Sequence, residues 1–347
     1  MDWLLRPETI PEKFLGMFLA IALFIAVMSL ILWAIDRPKV PTWLVVVGFL
    51  GPVTVAMAVG LFYPALSTTY RSFQVSQTVL GDNGKPIIDK LTGQKTSELT
   101  FSLANYQKVF TDPGFQKVLL NTVWWVILVP VLATAFGLIY AVLVDRTRGE
   151  KLAKALVFLP MAISMVGASI IWKFMYEYRD ATRPQIGLLN QILVWIGVDP
   201  YQFIITEPWN TFFLIIVMIW IQAGFAMTVL SAAIKSVPDD IVEAAQIDGA
   251  TGFKLFRKVT VPTIRPAVVV VLTTIAMGSL KAFDIVRTMT GGNFGTSIVA
   301  NEFYTQSFRQ GEAGKGIGAA LAVILFIIII PVILYNVRQM RLSEEMR

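Results

Sequence analysis

The side chains with the clearest chemical role lie in a polar segment, Lys235–Arg265, set between two long apolar runs. Asp239, Asp240 and Glu243 come early in it, and basic residues follow towards its end. The chain contains no histidine and no cysteine, so it lacks the commonest general base, the usual metal ligands and any thiolate. This segment therefore offers a shaped, charged surface to something in water, and carries no motif for catalysis.

The first part of the segment predicts a short helix over Pro238–Asp248. Proline suits the first turn of a helix, and the two aspartates after it favour the positive end of the helix dipole. Ala244 and Ala245 are small enough to let a partner surface approach closely. Gly249 ends the helix, because glycine readily takes the left-handed conformation found at helix C-termini.

The second part predicts another short helix, with Phe253, Phe256 and Val259 spaced by three residues. Pro262 is expected to end it, and Pro266 to open the next apolar helix. The two short helices would lie along a membrane surface, meeting at a sharp turn. An ordinary interfacial amphipathic loop is the alternative that the residues alone leave open.

The elements that position this segment are membrane helices. Of 347 residues, 56% are hydrophobic and 15% charged, and about 20 apolar residues are enough to cross a bilayer. The fold class is therefore all-α, a polytopic bundle, because backbone groups in lipid must be satisfied within each helix. About seven spans are predicted, at Phe14–Ile35, Trp43–Thr69, Val118–Val144, Ala155–Trp172, Trp209–Ile234, Pro266–Leu280 with its continuation to Met289, and Gly316–Val337.

The distribution of lysine and arginine predicts the orientation. Basic residues cluster after Val144, in the Lys235–Arg265 segment and in the C-terminal tail, and all three fall on one side when seven spans are threaded in order. That side is expected to be cytoplasmic. Residues 1–42 would form one extra helix with a short loop, and 43–347 a six-helix core with an external loop, 70–117, and the cytoplasmic loop 235–265. A turn or hairpin is expected around Gly81–Lys85.

Several fragments are better explained by structure than by function. Gly81–Lys85 and Gly311–Lys315 are similar to phosphate-binding loops but lack the required spacing and the hydroxyl residue after the lysine. Lys281 and Asp284 are three residues apart and favour an ion pair near the end of a helix, with Arg287 a turn further on. The net charge of +6 is modest and fits membrane topology and lipid contact, and nothing else favours nucleic-acid binding.

The sequence Glu243-Ala244-Ala245, then Asp248-Gly249-Ala250 and a downstream Pro262, resembles the EAA loop of binding-protein-dependent ABC import permeases. Other segments resemble the carbohydrate (MalF-like) branch of that family, over roughly Phe62 to the C-terminus. They are Tyr63-Pro64, Ser102–Trp125 with its Asn-Tyr, Asp-Pro and Asn-Thr pairs, and Phe283-Asp284 with Thr290-Gly291-Gly292. The external region is shorter than in the maltose permease, and one helix instead of two precedes the conserved six.

The resemblance implies the type I ABC importer permease fold in the bacterial inner membrane, with a cytoplasmic C-terminus. It implies a second, MalG-like permease, a dimer of ABC ATPase subunits and an extracytoplasmic sugar-binding protein as partners. ATP and Mg²⁺ would belong to the ATPase, with no cofactor in this chain. Coupling would run through Glu243, Ala244, Ala245, Asp248, Gly249 and Pro262, with Glu243 paired to a basic side chain of the ATPase.

The resemblance also places sugar contacts on the helices that flank the EAA loop, near the middle of the membrane. Neutral hydrogen-bonding groups and aromatic faces suit a polyol, so the candidates are Gln222, Phe225, Trp220, Gly278, Ser279 and Ser164. Each of them could instead serve helix–helix packing. An importer of a non-sugar solute such as an osmolyte or a peptide is the main alternative. A secondary transporter would need coupling carboxylates or inverted repeats, and the sequence shows neither.

Overall fold

The computed structural model describes residues 9–37, 40–78, 97–145, 148–180 and 182–345. The chain divides into two compact units, Met1–Ser67 and Thr68–Arg347. Each is described by itself below.

The N-terminal unit consists of apolar helices. Helix α1 covers Ile10–Ile35 and begins with a capping box, in which Thr9 and Glu12 each accept a hydrogen bond from the other's backbone N–H. Helix α2 (Thr42–Met57) runs through a π-helical turn at Ala58–Phe62 into α3 (Tyr63–Ser72). No residue of α1 or α2 is buried, so both present apolar side chains all round, as lipid-facing helices do.

A small hairpin follows α3 and departs from the all-α prediction. Strand β1 (Gln74–Thr78) pairs antiparallel with β2 (Ser97–Phe101), with Gln74 opposite Phe101. The predicted turn at Gly81–Lys85 lies outside the described residues.

The rest of the chain is helical. The helices are α4 (Ala104–Thr111), α5 (Pro113–Val144), α6 (Glu150–Phe158), α7 (Met165–Met175), α8 (Leu188–Trp195), α9 (Asn210–Lys235), α10 (Asp239–Ile247), α11 (Gly252–Leu255), α12 (Val261–Thr263), α13 (Arg265–Ser279), α14 (Phe283–Met289), α15 (Val299–Arg309) and α16 (Gly311–Glu345). A 3₁₀ turn at Leu159–Ala162 follows α6, and a π-helical turn at Phe256–Thr260 joins α11 to α12.

Helix α9 is the centre of the second unit. It packs mainly on α5 and also on α6 and α13, and its buried side chains include Leu214, Met218, Met227 and Leu230. Gly224 lets α9 approach α6, since a Cβ there would lie 2.5 Å from the Val157 carbonyl oxygen. This small-residue crossing is typical of helix packing in membranes, where close backbone contact replaces a hydrophobic driving force.

Within the residues that the structure describes, five helices are long and apolar enough to cross a membrane, and two bent helix pairs raise the number to seven if each is one span. The span predicted at Ala155–Trp172 is a bent helix pair. The helix bends there by 102° between Glu150–Ala162 and Met165–Met175. The cause is local, because Pro160 favours the 3₁₀ turn and Ser164 caps a new helix by accepting a hydrogen bond from Gly167 N at 3.0 Å.

Candidate functional site: the coupling helix and the membrane path

Helix α10 carries the Glu-Ala-Ala motif and covers Asp239–Ile247, which confirms the predicted helix to within a residue at each end. Pro238 occupies the N-cap with extended backbone, and Asp239 and Asp240 fill the first turn. Their carboxylates interact favourably with the positive end of the helix dipole. The local sequence therefore fixes where the helix begins.

The C-terminus of α10 is closed by a Schellman motif centred on Gly249. Asp248 is the C-cap and Gly249 has a φ of 77°, in the left-handed region. Ala250 N donates to Ala245 O at 2.9 Å, and Gly249 N donates to Gln246 O at 3.0 Å, which is the hydrogen-bond pattern of that motif. Gly249 thus reverses the chain as predicted, and a Cβ there would meet nothing within 4 Å, so its requirement is purely conformational.

The motif residues face in two directions. Glu243 and Ala244 are exposed, Ala245 is half-buried, and Ile247 is 86% exposed. Ile247 follows Glu243 by four residues and Ala244 by three, so it lies on the same side of the helix as both. This face combines a carboxylate, a small side chain and a large apolar one, which suits insertion into a complementary cleft of another protein.

Pro262 does not end the second short helix, which corrects the prediction. It lies in the first turn of α12, and the helical path continues from Gly252 through the π-helical turn to Thr263. The bend comes after it, where Gly252–Thr263 and Arg265–Ser279 meet at 69°. Proline is compatible with this position because it lies in a first helical turn, where its missing N–H is not needed for a hydrogen bond within the helix. The turn before it is the wider, π-helical one.

Among the predicted path residues, Gln222 and Gly278 are brought together by α9 and α13. A Cβ on Gly278 would lie 3.6 Å from Gln222 Nε2 and 3.9 Å from the Met218 Cε. Both residues are half-buried, as is Phe225, which follows Gln222 by one turn. Gly278 therefore leaves room beside the Gln222 amide, a neutral group that can both donate and accept hydrogen bonds.

Trp220 lies on a different face of α9 from Gln222. Its ring meets Trp172 edge-on at 5.7 Å, and it lines an apolar cavity of about 380 Å³ between α5, α6, α7 and α9. Helical geometry separates positions two apart by about 200°, so Trp220 and Gln222 cannot face one cavity. The sequence grouped residues that are neighbours in the chain but diverge in space.

The two candidate serines have hydrogen bonds within their own helices. Ser279 is 1% exposed, and its hydroxyl donates to Ala276 O at 2.8 Å. Ser164 is exposed and serves as the N-cap of α7. Their roles in a solute path stay predictions, and the structure gives each of them a local structural task.

The Asn-Tyr and Asp-Pro pairs at the start of the second unit are structural. Asn105 is buried, and its Nδ2 donates to Ser72 O at 2.9 Å and Gln74 O at 2.8 Å. The Tyr106 hydroxyl meets the Ser72 hydroxyl at 2.7 Å. Asp112 caps α5 by accepting from Gly114 N at 2.8 Å. These contacts fasten the hairpin to α4 and set the beginning of α5.

The Asn-Thr pair and the Thr-Gly-Gly motif, distant in sequence, meet in space. Asn121 Nδ2 donates to Gly295 O at 2.7 Å and Ser297 O at 3.0 Å, while Thr122 Oγ1 accepts from Val299 N at 2.9 Å. The loop contains four left-handed residues, Gly291, Gly292, Phe294 and Gly295. A loop of this shape requires glycines, and α5 holds it in place through Asn121.

The structure supports a structural role for Gly311–Lys315 but not the predicted pairing of Lys281 with Asp284. Gly311 and Gly314 belong to α16. A Cβ on Gly314 would lie 2.3 Å from Gln306 O, so close packing explains this glycine, whereas Gly311 has a φ of 66° and nothing within 4 Å of an added Cβ. The predicted pair of Lys281 and Asp284 was wrong, since no ion pair joins them in the described structure. The helix breaks between α13 and α14, and Arg287 lies over the Tyr304 ring at 5.0 Å.

A set of four charged residues beside α10 was not predicted from the sequence. Lys154 contacts Asp145 at 3.0 Å and Glu150 at 2.7 Å, and Lys235 contacts the same carboxylates at 3.2 and 2.5 Å. We call these four residues the charge clamp. The basic residues of this region predicted on which side of the membrane the loops lie. Nothing in the sequence indicates that residues 145 and 235 are in contact.

Comparisons with known proteins agree with this architecture. Residues 115–341 match the model of the family described as binding-protein-dependent transport system inner membrane component. The alpha-glucoside transport system permease protein AglF of Rhizobium meliloti is 41% identical over 84% of this chain and 80% of that protein. The osmoprotective compounds uptake permease protein GgtC of Synechocystis is 40% identical over 86% of this chain and 100% of that protein.

The fold is also found among solved structures. A bacterial alginate ABC transporter, crystallised in complex with an alginate pentasaccharide-bound periplasmic protein, matches with a TM-score of 0.67 and 20% identity. The match covers 85% of this chain and 92% of that one. The chain belongs to the family of binding-protein-dependent transport system inner membrane components. It is thus a multi-pass inner-membrane permease of an ABC importer, with the permease fold that the sequence predicted.

Proposed function

We propose that this chain forms one half of the translocation path of an ATP-driven importer for an α-glucoside or a related oligosaccharide. Support for the sugar comes from relatives named for alpha-glucosides, trehalose/maltose and arabinooligosaccharides, at 41%, 28% and 29% identity. The neutral Gln222 amide, which lies beside the small residue Gly278, suits a neutral polyol.

The observation that carries the proposal is α10 itself. It is a short, capped helix whose face of Glu243, Ala244 and Ile247 has no covering element in the described chain. A helix of this kind seats in a cleft of an ATPase subunit, with Glu243 paired to a basic side chain there. ATP hydrolysis, with its Mg²⁺, belongs to that partner, and this chain transmits the movement.

The proposed assembly has further members. A second, MalG-like permease completes the path, an extracytoplasmic binding protein delivers the solute, and two ATPase subunits bind the two permeases. The basic loop next to Asp145, the α10 loop and the C-terminal tail then face the cytoplasm, in agreement with the positive-inside rule. The contact of Asp145 with Lys235 supports a common side for the first two.

An osmolyte is the second candidate for the solute. The Synechocystis relative named for osmoprotective compounds aligns over its whole length at 40% identity, almost the same as the alpha-glucoside relative. Glycosylated osmolytes and α-glucosides share a neutral, hydroxyl-rich surface. Neutral hydrogen-bonding groups and aromatic side chains would therefore suit both classes of solute.

Uptake by the complete transporter in liposomes tests the proposal. The probes are a labelled α-glucoside disaccharide and a labelled glycosylglycerol, each with its binding protein. We expect uptake of the disaccharide that requires both ATP and the binding protein. Uptake driven by an ion gradient without ATP would contradict the proposed mechanism, and uptake of the glycosylglycerol alone would replace the sugar by the osmolyte.

A further inference from the structure

The charge clamp lies where the coupling loop leaves the membrane bundle. Asp145 follows the last residue of α5, Glu150 and Lys154 belong to α6, and Lys235 is the last residue of α9. Helix α10 begins at Asp239, shortly after Lys235. Three helices that are separate in sequence are therefore joined at the root of α10.

Taken by itself, the set of four clamp residues is electrically neutral. Two carboxylates meet two ammonium groups, and each lysine contacts both carboxylates within 3.2 Å. Ser231 supports it from α9, since its hydroxyl meets Lys154 Nζ at 2.5 Å and Asp145 Oδ1 at 3.2 Å. Every charge thus has two opposite neighbours, and this arrangement fixes the relative positions of the helices better than an isolated pair does.

Burial makes the clamp more than a surface ion pair. The Asp145 side chain is 8% exposed, whereas that of Lys235 is 47% exposed. An exposed pair contributes little on its own, but removing a partner from a buried charge is costly because that charge is left uncompensated. Asp145 is therefore the inner member that depends on both lysines, and Lys235 is the member nearest the coupling loop.

A second contact joins α6 and α9 away from the clamp. Gly224 brings the α9 backbone against the Val157 carbonyl oxygen of α6, at a distance where a Cβ would not fit. The two helices are thus held at the clamp and again at Gly224. A helix pair fixed at two points transmits a rotation instead of absorbing it by sliding.

We propose that Asp145, Glu150, Lys154 and Lys235 act as positioning residues that fasten the root of the coupling loop to α5 and α6. Movement of α10 then turns α5, α6 and α9 together. This inference rests on the proposed coupling function of α10. Without the clamp, α10 would still bind the ATPase, but part of its movement would be lost in the Ser236–Pro238 connection before it reached the helices.

The test measures solute uptake and ATP hydrolysis in the same liposomes, using the complete transporter with its binding protein. The variants are Lys235→Ala, Lys235→Arg and the neutral double variant Asp145→Asn/Lys235→Ala, which keeps the Lys154–Glu150 pair. Lys151→Ala is the matched control, because Lys151 is an exposed lysine of α6 outside the clamp. The readout is the number of solute molecules taken up per ATP hydrolysed.

We expect Lys235→Ala and the double variant to lower this ratio by about twofold to fivefold, the range that the contribution of a partly exposed ion pair allows. Lys235→Arg should recover most of it and Lys151→Ala should not change it. A role confined to folding would lower the amount of complex and leave the ratio unchanged. An unchanged ratio in the double variant, or loss of the ATPase subunit from the purified complex, would overturn the proposal.

Failure of the clamp proposal and failure of the proposed function give different results. If the wild-type transporter takes up solute without ATP, coupling through α10 fails and so does the inference that rests on it. If the wild type couples uptake to ATP and all clamp variants couple equally well, only the clamp proposal is wrong.

Discussion

Gly137 of α5 lies against Ala226 of α9 so closely that a Cβ added to Gly137 would be 2.4 Å from the Ala226 Cβ. It would also be 2.7 Å from Met227 N, a backbone atom that cannot rotate away. The contact between α5 and α9 thus depends on the absence of one methyl group. Close approach of this kind gives membrane helices their packing energy.

Gly137→Ala is therefore expected to destabilise the permease by about 1–3 kcal/mol, the usual cost of overpacking a core. The measurement is the thermal unfolding midpoint in mild detergent. Gly51→Ala is the matched control, since this helix glycine has nothing within 4 Å of an added Cβ. An equal midpoint for the two variants would show that the α5–α9 contact is looser than described.

Glu243→Arg should abolish transport while the protein still folds and inserts. Glu243 is exposed on α10, so its replacement disturbs nothing inside the chain, but the proposed ion pair with the ATPase becomes a repulsion. Uptake and insertion are measured in the same membranes. Glu98→Arg on β2 makes the same charge change at another exposed position and should transport normally. Normal uptake by Glu243→Arg would remove Glu243 from the coupling surface.

Gly249→Ala should weaken coupling through the backbone alone. The φ of 77° costs an L-residue about 1–2 kcal/mol, while the space around the position is open. The Schellman closure of α10 should loosen, and uptake should fall more than the amount of assembled complex does. Gly249→Asn is the informative second variant, because asparagine tolerates the left-handed region better than alanine. Equally poor transport by both variants would show that the added side chain, and not the backbone conformation at position 249, causes the loss of transport.

Gln222→Ala should raise the KM for uptake and leave ATPase assembly intact. The loss of one hydrogen bond to a solute corresponds to about 1 kcal/mol, or about fivefold in KM. Gly278→Leu should block the space beside Gln222 and lower the uptake rate more strongly. Ser279→Ala is the comparison, since the Ser279 hydroxyl already donates to Ala276 O and its loss should matter less. The reverse order of effects would favour Ser279 as the contact.

The sequence predicted what depends on short-range chemistry. Proline, aspartates and glycine around Glu243 defined α10 and its C-cap, and apolar runs located the membrane helices to within a few residues. Pro160 and Ser164 also carried a local signal for the sharp bend between α6 and α7. Counting apolar residues over the whole run obscured that signal.

Long-range relationships were beyond the sequence. Asn121 and the Thr290–Ser297 loop are far apart in the chain, as are Asp145 and Lys235, and no spacing rule brings them together. Trp220 and Gln222 are close in the sequence but have different neighbours in the structure, and their roles in a solute path stay predictions. Positions 220 and 222 are separated by about 200° around the axis of α9, and this angle can be derived from the helical repeat alone.

The measurement that tests the account most directly is purification of the tagged chain from its native membrane in a gentle detergent, followed by mass spectrometry of the bound proteins. We expect an ATPase with a nucleotide-binding motif and a second permease with its own Glu-Ala-Ala loop, and we expect Glu243→Arg to lose the ATPase. Recovery of the chain alone, or with copies of itself only, would contradict the importer assembly proposed for it.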